Sequence, residues 1–155
     1  MVREISAGGV VVRKSGAGWE MAAIQPQREP APTPKKALLA LPKGLVDAGE
    51  KPQQTAIREV LEETGLSATL VSKLRDIKYV YVRSWGDGER VFKIVSFYLL
   101  RYLSGEIDSI DAKMRVEVKR ALWIPVEEAA LRLAYRGERE VVQAARQYLK
   151  SHPEA

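Results

Sequence analysis

Three glutamates, Glu59, Glu62 and Glu63, stand at positions i, i+3 and i+4 of a stretch, Pro52 to Thr64, that reads as a helix. Side chains so spaced leave a helix from one face. In an isolated helix such like charges repel by roughly 0.2–0.5 kcal/mol per pair, and a hard divalent cation is the natural compensation. A merely solvated acidic face is the alternative, and REVLEE alone would favour it. Arg58, four residues before Glu62, can steady the array. Gly44 and Gly49 precede the helix and permit backbone angles that turn carbonyls toward a metal. The chain has no cysteine, so thiolate sites and disulfides are excluded. Its one histidine, His152, falls in the closing SHPEA, where a frayed tail is expected. A metal here must therefore be held mainly by oxygen, which favours magnesium, manganese or calcium.

The elements that position these residues follow from periodicity and punctuation. Ile5 to Val12 reads as a strand in which Gly8 and Gly9 allow a bulge or a close backbone approach. A turn at Ser15 to Gly18 leads to a second strand, Met21 to Gln25. Residues 26 to 36 hold four prolines and three basic residues and read as an exposed loop beside a site. For the helix, Pro52 suits the first turn and Gly65 the residue that ends it, while Ala56, Ile57, Val60 and Leu61 supply its docking surface. Strands Lys73 to Arg83 and Arg90 to Tyr102 bracket SWGDGE, whose Asp87–Gly88 pair is a hairpin signal. Ile77, Tyr79 and Tyr81 share one strand face, as do Val91, Lys93, Val95, Phe97 and Leu99. Leu122 to Ile124 reads as a short strand and Glu138 to Lys150 as a closing helix. The order predicts one α/β domain, residues 1–155, with helices on a mixed sheet.

With 155 residues, 46% of them hydrophobic, the chain can bury a full core. No stretch approaches the roughly 20 apolar residues of a membrane span, and the N-terminus lacks the features of a signal peptide, so a cytoplasmic protein is expected. The net charge of +5 suits a polyanionic small molecule. Nucleic acid is disfavoured, because no basic block is interleaved with aromatics.

From Gly44 to Leu66 the chain reads GLVDAGEKPQQTAIREVLEETGL. Gly44, Glu50, Arg58, Glu59, Glu62, Glu63 and Gly65, with apolar Val60 and Leu66, match the Nudix box. At ordinary residue frequencies the seven fixed positions would coincide in roughly one random window in 10⁸, which sets aside the bland reading of REVLEE. The flanks SAGGVVVR, LPKG and WIPVEEA extend the resemblance to Nudix hydrolases over most of the chain. That resemblance implies an α/β/α sandwich with a mixed sheet and a magnesium-dependent site, manganese being an alternative. Glu59, Glu62, Glu63 and the Gly44 carbonyl would hold metal, and Arg58 and Glu50 would orient the loop. A water would attack phosphorus and one carboxylate would take its proton, Glu62 or Glu59 ahead of Glu117. Glu117, six residues before Trp123, resembles a late metal ligand or base of the family; a surface glutamate is the even alternative.

Lys43, beside the metal loop, could bind a phosphate as a point charge. Lys93 lies in an otherwise apolar strand and, if inward, needs an anionic partner. Tyr81 stands sixteen residues after Gly65, which resembles the dinucleoside polyphosphate hydrolase branch, and could stack on a base. A strand-core tyrosine is the plainer alternative, and LVDAGE in place of a histidine-containing loop departs from that branch. The expected substrate is a small nucleotide, first a dinucleoside polyphosphate. A nucleoside triphosphate pyrophosphatase is the alternative, with nucleotide sugars or ADP-ribose third; a catalytically silent nucleotide sensor is the alternative of another class. The oligomeric state has no signal.

Overall fold

The strand that organises the sheet is β1 (Val2–Ser15), and its sequence shows why: Ser6 to Val12 is buried on both faces, as a central strand requires. The computed structural model describes residues 2–27, 38–83, 86 and 88–155. On one side β1 pairs in parallel with β5 (Arg90–Ser104), unbroken from Val2↔Val91 to Val12↔Arg101. On the other it pairs antiparallel with two strands in turn. Ser6 to Gly8 meet β3 (Lys43–Leu45), and Val12 to Ser15 meet β2 (Gly18–Pro26). With β4 (Ser67–Val82) and β6 (Val118–Pro125) the order is β4-β5-β1-β2-β6, and β3 joins β1.

Gly8 and Gly9 serve close approach rather than a bulge. A Cβ on Gly8 would strike the Pro42 carbonyl and the Phe97 ring, and one on Gly9 would strike Val60 and Leu100. The chain that leads into β3 and the helix α1 (Pro52–Thr64) can therefore lie directly on β1. Helix α1 covers one sheet face through Ala56 and Val60, packed with Ala7, Val11, Tyr98 and Leu100. Helices α2 (Val126–Arg132) and α3 (Arg136–Ser151) cover the other, with Val10, Phe97 and Leu99 packed on Ala129, Val141 and Ala145. The result is the expected α/β/α sandwich around a mixed sheet.

Helix α1 has the expected bounds and ends where Gly65 turns left-handed at φ 84°. Other boundaries differ for physical reasons. Strand β4 starts at Ser67 rather than Lys73, because register shifts near Ala68, Ser72 and Arg75 break the two-residue pattern. Strand β1 starts at Val2, β5 reaches Ser104, and β6 is longer than Leu122 to Ile124. Pro26 ends β2 opposite Val118 instead of opening a loop. His152 is not frayed: its ring stacks on Tyr148 at 4.1 Å. Most of the expected proline-rich loop (28–36) and Asp87 of the expected turn lie outside the described residues; β4 and β5, which flank that turn, are antiparallel neighbours.

Candidate active site

The acidic face of α1 meets β3 at Gly44. A Cβ there would overlap the Glu59 carboxyl group, so glycine is what lets strand and carboxylate touch. Glu59 and Glu63 are 8% and 5% exposed, and a hydrogen bond links them. Burial first, and then the Glu59 charge, pushes the Glu63 carboxyl well above the usual carboxylate range. Burial also raises Glu59, against the opposing hydrogen bond from Glu63 and the charge of Arg58. The Lys43 backbone N–H donates to Glu63 Oε1 at 3.3 Å.

Arg58 organises the loop before the helix. Its Nε and Nη2 donate to the two oxygens of Glu50 at 2.8 and 2.9 Å, and Nη2 also donates to the Leu45 carbonyl at 3.1 Å. Nη1 donates to Glu59 at 2.9 Å and lies 3.2 Å from Glu62 Oε2. The Arg58 hydrogen bonds, with one from Thr55, pull Glu50 down to about 2, so Glu50 is an anionic clamp at neutral pH. Together Arg58 and Glu50, the pair expected to orient the loop, tie loop 45–50 to the helix.

These residues fit a divalent cation. Oxygen is the only donor offered, two buried carboxyl groups lie close enough to share a proton that a cation could replace, and glycine opens the backbone beside them. Among the described residues no three acidic side chains are gathered into a finished cage. Glu59 and Glu63 converge, while Glu62 faces Arg58 and would have to turn from it.

Three adjoining depressions run from this face. One contains Leu61, Glu62, Met114 and Glu117. A second contains Glu63, Glu117, Lys43 and Tyr135. The third, of about 440 Å³, is walled by Ile77, Tyr79, Val95, Phe97 and Tyr135, with Lys43 and Glu138 at one end. Shared residues join them: Glu117 links the first to the second, and Lys43 and Tyr135 link the second to the third. The fold thus brings Glu117 beside Glu62 and Glu63 along one cleft, and sets Lys43 between carboxylates and aromatic walls. Burial disfavours the Lys43 ammonium, but the adjacent Glu138 carboxylate outweighs it and raises the Lys43 pKa.

Tyr81 and Lys93 lie further along the same sheet face, outside the pocket lining. Both reach Glu4, at 3.0 and 3.2 Å respectively, which supplies the anionic partner an inward Lys93 needs. Tyr79, one strand repeat before Tyr81, is the β4 tyrosine that lines the pocket. Tyr135, Glu138 and Glu4 carried no motif in the sequence. A glutamate in the first turn of a helix looks like any dipole-stabilising charge, and its 3% exposure is a tertiary fact.

Comparison with known proteins accords with this geometry. The chain is 39% identical over 144 residues, 93% of its length, to the putative mutator protein MutT4 of Mycobacterium tuberculosis, of which it spans 55%. It is 30% identical over 118 residues, 72% of each chain, to the asymmetrical bis(5'-nucleosyl)-tetraphosphatase of Rattus norvegicus. In three dimensions it is similar to a C. elegans Ap4A hydrolase in a binary complex, with a TM-score of 0.72, 22% identity, and 96% and 98% of the two chains covered. The NUDIX domain matches residues 2–145, and the chain belongs to that family.

Proposed function

We propose that the protein is a divalent-metal-dependent hydrolase of phosphoanhydride bonds in nucleotides, with a dinucleoside polyphosphate as its favoured substrate. The observation that carries this reading is the junction at Lys43, where an aromatic-walled pocket opens onto the carboxylate cleft. A base between Tyr79 and Tyr135 would leave its phosphates running past the Lys43 ammonium toward Glu59, Glu62 and Glu63. The resemblance to tetraphosphatases supports the dinucleotide.

Glu59, Glu62, Glu63 and the Gly44 carbonyl would hold magnesium or manganese, which supplies charge neutralisation and a more acidic water when bound. Arg58 and Glu50 keep the loop and the carboxylates in register. A water oxygen forms the new bond to phosphorus, the bridging P–O bond breaks, and a carboxylate takes the water's proton. Glu62 is the first candidate for that role because it lines the open cleft; Glu59 and Glu117 are the alternatives. Tyr81 and Lys93, braced through Glu4, would bound the outer end of the substrate face.

A second reading, a nucleoside triphosphate pyrophosphatase, draws on the mycobacterial mutator protein and on a 31% identical 8-oxo-(d)GTP phosphatase of Mycolicibacterium smegmatis. A hydrolysis panel with magnesium tests both: diadenosine tetraphosphate, 8-oxo-dGTP, ordinary dNTPs, ADP-ribose and nucleotide sugars. Preferred cleavage of the dinucleotide to ATP and AMP supports the first reading. Release of pyrophosphate from a triphosphate supports the second. Tight nucleotide binding without turnover would overturn both in favour of a sensor.

A further inference from the structure

We propose that Glu138 is a positioning residue of this site, through which α3 fixes both Lys43 and the Leu41–Gly44 strap that supports the acidic pair. This rests on the hydrolase reading of the same site. Glu138 is almost wholly buried in the first turn of α3, and both its oxygens are committed to the strap. Oε1 accepts the Leu41 backbone N–H at 2.7 Å, and Oε2 accepts Lys43 Nζ at 2.9 Å. Among the described contacts, one carboxylate thus sets a backbone position and, two residues on, a side chain.

The strap carries this constraint onward without Glu138 touching the carboxylates. Its Pro42 carbonyl accepts the Gly9 N–H at 3.2 Å, its Lys43 N–H donates to Glu63, and its Gly44 lies against Glu59. Helix α3 is therefore tied to α1 through the strap, in addition to the sheet on which both helices pack. The Lys43 ammonium is held 5.7 Å from the centre of the Tyr135 ring, at the mouth between pocket and cleft. A freely rotating lysine would sweep both spaces and lose rotamer freedom on each encounter with phosphate; Glu138 sets it in place beforehand. Stability alone does not explain a buried ion pair, since well-packed apolar residues often serve at least as well.

The test is a double-mutant cycle: Glu138→Gln and Glu138→Ala, each alone and combined with Lys43→Met. Hydrolysis of the substrate preferred in the panel is followed at a temperature where circular dichroism shows every variant folded. Glu138→Gln keeps an acceptor for Leu41 but loses the charge on Lys43, and is expected to raise KM about tenfold with little change in kcat. On the Lys43→Met background the same change should leave KM unaltered. Glu138→Ala frees the strap as well, and is expected to lower kcat about a hundredfold. Equal effects of Glu138→Gln with and without Lys43→Met would overturn the role through lysine. Manganese titration of the nucleotide-free protein gives a second readout. Glu138→Ala should weaken binding about tenfold and Glu138→Gln should leave it intact; unchanged affinity in Glu138→Ala would overturn the role through the strap. If the wild-type protein hydrolyses nothing in the panel, the hydrolase reading falls, and the titration alone decides on Glu138.

Discussion

Glu62 and Glu63 are neighbours in sequence but differ in setting, and that difference governs what their replacement should do. Glu63 is buried against Glu59 under the strap, whereas Glu62 lines the open cleft. Glu62→Gln is expected to lower kcat by roughly 10²–10⁴-fold, the usual worth of a positioned proton acceptor. Glu63→Gln should instead weaken metal affinity, read by manganese titration. Wild-type values in both would remove the carboxylates from the site. The two tyrosines of β4 are separated in the same way. Tyr79→Ala should raise KM for an adenine nucleotide about 5- to 150-fold, the equivalent of about 1–3 kcal/mol of lost stacking, and Tyr81→Ala by less. A larger effect at Tyr81 would return the base to the outer end of the sheet.

At the scale of elements, the segment between β5 and β6 decides where Glu117 stands. It is held by Asp108, whose backbone is left-handed at φ 74° and whose carboxylate takes Arg115 Nη1 at 2.7 Å and the Ala121 N–H at 2.8 Å. The Arg115 hydrogen bond, more than the backbone one, holds Asp108 below its ordinary pKa. A carboxyl with a depressed folded pKa adds stability above its unfolded value, near 3.8, and loses it as pH falls through the folded one. The melting-temperature gap between wild type and Asp108→Asn should therefore be full at neutral pH, begin to narrow near about pH 4, and close only as pH falls through the depressed folded pKa. A gap independent of pH would mean that the turn geometry, rather than the charge, supplies the stability.

For the whole molecule, the acidic pair is a cost that a cation should relieve, so metal binding and folding are linked. Magnesium at about 100 times its dissociation constant would add about 2.7 kcal/mol, several degrees of melting temperature for a chain of this size. Differential scanning calorimetry with magnesium and with a chelator should show that shift in the wild type and a much smaller one in Glu63→Gln. Equal shifts in the two would place the cation elsewhere. No described helix is long and apolar enough to cross a membrane.

What the sequence determined by itself was local. Helical spacing put Glu59, Glu62 and Glu63 on one face, Pro52 and Gly65 bounded the helix, and alternation marked β5. Those signals are legible because period, cap and turn chemistry act within a few residues. The bulged start of β4, the three-residue β3 and the short α2 were not legible, because pairing with distant strands, rather than propensity, selects them. Only the tertiary structure decided that Glu117 joins the cleft, that Tyr79 rather than Tyr81 faces the pocket, and that Glu138 holds Lys43. Each of those depends on which long-range contacts a residue makes, and a side chain's type says little about what will be folded against it.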